Sequence, residues 1–134
     1  MKKMASLLLA GALALVLSAC GETLPVKNVS NSPILVSAKS YTEDQVRNAI
    51  LLAGRKLKWE MSEKSPGVIA GSIYSRGTDS GADILITYSK SEYSINYVDS
   101  KGLKYDGKNI DNRYNRWMNN LTKEIDLTLM QTVR

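Results

Sequence analysis

Histidine is absent from the 134-residue chain and cysteine occurs once. These two scarcities remove imidazole general bases, Ser-His-Asp and Cys-His nucleophile systems, Cys/His zinc sites and any intramolecular disulfide. Phenylalanine is missing as well, proline occurs three times, and the one long apolar run falls short of the ~20 residues a helix needs to span a bilayer. What is present suits one folded domain. A chain of this length holds a single core, and 43% hydrophobic with 23% charged residues is a composition able to bury one.

The first residues fall into three zones. Lys2 and Lys3 make a basic start, Ala5 to Leu17 is an unbroken run of 13 apolar and small residues, and Leu17-Ser18-Ala19-Cys20 closes it. A run within roughly 7–15 residues behind a basic start is the core of an export signal rather than a membrane anchor.

The closing tetrapeptide resembles the lipobox of bacterial lipoproteins, a branched apolar residue and two small residues ahead of a cysteine. The resemblance implies cleavage after Ala19 and a diacylglyceryl group on the Cys20 sulfur. It further implies acylation of the new amino terminus by a fatty acid such as palmitate. The lone cysteine fits this role, since an unmodified thiol is a liability in an oxidising compartment. Gly21 rather than Asp after the cysteine implies, on the enteric sorting pattern, the periplasmic face of the outer membrane. Burial of acyl chains contributes about 0.8 kcal/mol per methylene, so two or three chains anchor the protein without help from its surface. Loss of Lys2 and Lys3 with the leader lowers the formal charge from +5 to +3, which is no argument for nucleic acid.

The expected organisation is a signal peptide over residues 1–19, a lipidated N-terminus and tether over 20–33, and a periplasmic α+β domain over 34–134. Pro25, Asn28, Ser30, Asn31, Ser32 and Pro33 argue for the tether. Thr42-Glu43-Asp44-Gln45 fits a capping box, and Val46, Ala49, Ile50, Ala53 and Leu57 form one stripe of a helix from Glu43 to about Lys56. Leu51 and Leu52 fall off that stripe. Residues 57–61, 67–75, 82–89 and 92–99 read as strands, with 62–66 and 76–81 as loops. A two-residue turn at Lys90-Ser91 places Tyr88 opposite Tyr93, Ile86 opposite Ile95 and Ile84 opposite Tyr97 on an apolar face. Thr87 then meets Ser94, Leu85 meets Asn96 and Asp83 meets Val98 on a polar one. A second amphipathic helix covers 110–130, burying Ile110, Tyr114, Trp117, Met118, Leu121, Ile125 and Leu129. The fold class expected is an α+β two-layer sandwich, two helices on one face of a four-stranded antiparallel meander. In size and layout this is similar to small uncharacterised lipoproteins of Gram-negative bacteria.

No catalytic, cofactor or metal site is expected. Ser80 in Gly77-Thr78-Asp79-Ser80-Gly81 stands one place too late for a nucleophile elbow, and lysines interrupt the carboxylates around Asp99 and Asp106 that a calcium loop would need. Asp79 and Asp83 are the pair that a carboxylate hydrolase acting on envelope glycan would use. Arg55, Lys56, Lys58, Lys101, Lys104 and Lys108 form a basic rim suited to lipid headgroups or anionic glycan. The favoured reading is a membrane-tethered module that binds an envelope protein or glycan through the polar sheet face or a sheet edge. An assembly scaffold using Leu51 and Leu52 is the alternative. Replacing Cys20 with Ser should abolish incorporation of labelled palmitate and move the protein from the membrane to the soluble fraction. Membrane retention by this variant, with no label ever incorporated in the parent, would contradict lipid anchoring.

Overall fold

The computed structural model describes residues 22–134; the leader, Cys20 and Gly21 lie outside them. In chain order the elements are β1 (Thr23–Pro25), β2 (Val29–Pro33), α1 (Glu43–Lys56), β3 (Glu60–Ser65), β4 (Val68–Ser75), β5 (Ser80–Tyr88), β6 (Glu92–Lys101), β7 (Asn109–Asp111) and α2 (Asn112–Thr132). β3 to β6 form the expected antiparallel meander. The sheet has five strands rather than four, in the order β2-β6-β5-β4-β3, because β2 pairs with the outer edge of β6. β1 and β7 make a separate two-stranded ribbon.

Side-chain alternation sorts the sheet into two faces. Ile69 of β4, Ile84 and Ile86 of β5, and Tyr93 and Ile95 of β6 point inward and are almost fully buried with Val46, Ile50, Met118, Leu121 and Ile125 of the helices. Both helices therefore lie on this face. They run antiparallel: Lys56 near the end of α1 pairs with Glu124 of α2, while Leu52, one turn earlier, lies beside Thr132 and Val133 at the end of α2. The Thr42 capping box is present: Thr42 Oγ1 accepts from the Gln45 amide at 3.2 Å, and Gln45 Oε1 accepts from the Thr42 amide at 2.8 Å. Gly54 sits inside the helix, two residues before its end. A Cβ there would stand 2.5 Å from the Met61 sulfur, so its lack of a side chain is what lets α1 close onto β3.

The meander register agrees with the alternation for five pairs between β5 and β6, from Tyr88 opposite Tyr93 to Ile84 opposite Tyr97. It departs at the sixth. A bulge leaves Val98 unpaired and sets Asp83 opposite Asp99, because one extra residue on one strand advances the pairing by one. β3 also runs later than expected. Residues 62–65, expected as loop, pair with β4 as its polar edge, while residues 57–59 form the turn out of α1. Ile110 is buried in β7 rather than in the final helix, which starts after its cap, Asp111, whose Oδ1 accepts from the Arg113 amide at 2.9 Å.

The largest departure concerns residues 23–33. Thr23, Leu24 and Pro25 pair with Asp111, Ile110 and Asn109, and the stretch continues along the domain. The Val26 amide donates to Lys108 O at 3.0 Å, the Lys27 amide to Asn115 Oδ1 at 2.9 Å, and Asn28 Oδ1 accepts from the Tyr97 amide at 3.0 Å. Local composition argued for a tether, but backbone groups offered by β6, β7 and α2 hold these residues to the body. The folded unit begins at Thr23.

Two buried tyrosines on the inner side test how polar groups are tolerated there. Tyr93 donates to Asp126 Oδ1 of α2 at 2.7 Å, and burial, followed by this bond, pushes its hydroxyl well above the ordinary tyrosine value. The Tyr114 hydroxyl is buried with no partner among the described residues. Removing a bonded buried hydroxyl costs stability, whereas removing an unbonded one does not. In urea unfolding, Tyr93→Phe should lose about 1–2 kcal/mol and Tyr114→Phe should be neutral or gain up to about 1 kcal/mol. Equal losses in the two variants would contradict this assignment.

Candidate functional site

Because both helices occupy the inner face, the outward positions of β3 to β6 have no covering layer among the described residues. The register arranges them in rows across the strands. One row runs Glu60, Ser72, Asp83 and Asp99; the next runs Ser62, Ala70, Leu85 and Asn96. Small side chains at Ser62, Ala70 and Ser72 leave a trough about 430 Å³ in volume, with Leu85 in its floor and Val98 on its wall. The bulge makes that wall, since Val98 is 57% exposed. Glu60 and Asp83 line one side and Lys64 the other.

The acidic row carries an unbalanced charge. Asp83 and Asp99 face each other on neighbouring strands, an arrangement of like charges that is unfavourable in a sheet. Neither they nor Glu60 forms an ion pair among the described residues, although the Asp99 carboxylate accepts from the Ser100 amide at 2.8 Å. The trough thus offers an apolar floor beside several exposed carboxylates. That combination suits an apolar side chain next to a cation.

A comparable concavity of about 460 Å³ lies between Lys27, Asn28 and α2. Its polar groups are largely taken up internally: Lys27 Nζ donates to Asn119, and Asp126 receives the Tyr93 hydroxyl. The outward sheet face is the better candidate on its chemistry.

The remaining residues singled out in the sequence separate across the molecule. Cys20, the lipidation position, lies outside the described residues. Asp79 and Asp83 do not form a pair. Asp79, in the β4–β5 loop, accepts from the Tyr74 hydroxyl and meets Lys101 Nζ at 3.2 Å, while Asp83 faces Asp99. Asp106 Oδ1 accepts from the amides of Lys108 and Asn109 at 2.9 and 2.7 Å, closing a solvated turn. These bonds hold the Asp106 carboxyl below its usual range. Leu51 packs against the core, whereas Leu52 is 41% exposed beside Thr132 and Val133. Tyr88 and Tyr93 enter the core as expected; Tyr97 and Trp117 are only half buried. The trough itself was missed, because naming its lining needs the register of β3 against β4. The polar strand β3 carried no apolar alternation to reveal it.

No group of three or more metal-ligating side chains occurs among the described residues, and no helix among them is long and apolar enough to cross a membrane. The Tyr74 hydroxyl, followed by Lys101, lowers the Asp79 carboxyl below its ordinary 3.8. A group lowered on folding contributes stability above its unfolded value and loses that contribution as pH falls through the folded one. All three side chains are exposed, so the stability contribution is small and the titration itself is the better readout. An NMR titration of the Asp79 carboxyl should give a midpoint below 3.8 that Tyr74→Phe moves upward; a midpoint indifferent to that substitution would remove the hydroxyl as the leading cause. No family model matches the chain, and neither a curated protein nor a solved structure is significantly similar to it, so the site rests on its own geometry.

Proposed function

We propose that the protein is a lipoprotein held by acyl chains on Cys20 at the periplasmic face of the outer membrane. There it serves as a non-catalytic binding module whose uncovered sheet face receives an envelope protein. The observation that carries this reading is the trough between the Glu60–Asp99 row and the Ser62–Asn96 row. It pairs the apolar surface of Ala70, Leu85 and Val98 with the carboxylates of Glu60 and Asp83. An apolar patch of this size supplies affinity, and flanking charge supplies selectivity and orientation. The partner segment is accordingly one that presents an apolar side chain flanked by lysine or arginine. Its backbone need not add a strand, since the edge strand β3 is short, charged and bulged near its end.

A scaffold role is the second reading, and Leu52 favours it by standing partly exposed at the junction of the two helices. The two readings place the contact on opposite sides of the sheet. A photo-crosslinking residue at Ser72 should give a discrete adduct with an envelope protein in intact cells, and Leu85→Arg should reduce that adduct at least tenfold. An adduct formed from Leu52 alone would favour the scaffold. Capture of glycan from Ser72 would retain the surface and change the class of partner. Adduct at neither position would contradict a binding module.

A further inference from the structure

The strand pairing of residues 23–33 alters how an anchored domain would sit. Only Gly21 and Glu22 separate Cys20 from Thr23, where the hydrogen-bonded body begins. Three residue steps span at most about 11 Å, little more than the headgroup layer on one side of a bilayer. A domain joined through such a link cannot stand clear of the membrane.

The end of the molecule nearest the link is defined by the topology. Thr23 pairs with Asp111, and the Asp111 amide donates to Leu103 O at 2.8 Å. Arg113, at the start of α2, donates to Ser80 Oγ at 3.3 Å, and Ser80 opens β5 next to the β4–β5 loop. Gly102 locks the β6–β7 loop onto the same place. Its φ is +68°, and a Cβ there would fall 2.5 Å from Asp79 O. Thr23, the β4–β5 loop and the β6–β7 loop therefore share one end. The β5–β6 turn at Lys90-Ser91 is at the other, separated by the nine residues of β5, or about 30 Å.

The near end carries side chains of the kind found at lipid–water boundaries. Leu24 is 41%, Tyr74 54% and Tyr105 39% exposed. Arg76, Lys104 and Lys108 stand exposed with no ion pair among the described residues. The acids there are Glu22, Asp79, Asp106 and Asp111. Asp79 is held by Tyr74 and Lys101, Asp106 by its own turn, and Asp111 by Arg113 at 3.3 Å. Tyrosines with a polar tip and lysines on long stems are at home in a headgroup layer.

We infer that this end of the sheet, through Leu24, Tyr105, Lys104 and Lys108, rests on the phospholipid headgroups of the membrane that holds Cys20. The inference rests on the anchoring proposed above. The strands then rise away from the bilayer, and the trough on the outward sheet face opens sideways, toward a partner at the same membrane surface.

The test uses the processed full-length lipoprotein reconstituted into phosphatidylethanolamine/phosphatidylglycerol vesicles that contain a headgroup-level nitroxide quencher. With the Cys20 sulfur acylated, a single introduced cysteine is the only free thiol for a fluorophore. Gly77→Cys marks the near end, where an added Cβ meets nothing within 4 Å, and Lys90→Cys marks the far end. Flotation with the vesicles is read first; a protein that does not float overturns the anchoring and the inference together. With flotation established, the expected result is quenching at position 77 at least threefold greater than at position 90. K104E/K108E should reduce the position-77 signal while flotation is unchanged. Equal quenching at both positions overturns the orientation alone. Undiminished quenching in K104E/K108E overturns the part assigned to those lysines.

Discussion

Burial of one sheet face under two helices is the constraint from which the rest of the molecule follows. Ile69, Ile84, Ile86, Tyr93 and Ile95 form a continuous inward surface, and the apolar stripes of α1 and α2 are just sufficient to cover it. At about 25 cal/mol for each Å² of apolar surface removed from water, this layer dominates the favourable side of folding. It also commits both helices to one side. The outward face is left with mostly small and polar residues, and Ala70, Leu85 and Val98 of its apolar groups collect in the trough. The proposed interaction surface is thus the complement of the core.

The same packing determines where the chain enters the body. α2 extends well beyond its contact with α1, and its first turns, together with β7, present backbone and side-chain groups that residues 23–28 satisfy. Asn115 is central to this. It accepts from the Lys27 amide and donates to Pro25 O at 3.0 Å. A stretch that would otherwise be solvated becomes part of the fold by matching these groups, leaving a link of two residues, Gly21 and Glu22, between Cys20 and Thr23. The proposed attachment, the proposed orientation and the lateral aspect of the trough are connected through that short link.

Much of this architecture is legible in the residues. The inward isoleucines and tyrosines of β5 and β6 alternate strictly, so a two-residue turn at Lys90-Ser91 is enough to obtain five of their cross-strand pairs. Thr42 and Gln45 mark the start of α1 because the capping box is a local hydrogen-bond pattern. The features that escape such a reading are those created by distant partners. Nothing near Val98 announces a bulge, and β3 is a polar edge whose pairing depends on β4. The prolines and asparagines of residues 23–33 favour irregular backbone until β6, β7 and α2 are present to bond them. The polar sheet face was legible as a surface, but its trough required the bulge and the β3 register together.

The proposed role and the proposed orientation both stand on the chemistry of one sulfur atom, outside the described residues and inferred from the tetrapeptide that ends at Cys20. Intact-mass spectrometry of the protein extracted from its native membrane tests that directly. The account predicts a chain beginning at Cys20 and heavier than its peptide mass by a diacylglyceryl group and an amide-linked acyl chain. A mass corresponding to an unmodified Cys20 thiol, or to a chain that still carries the leader, would contradict it.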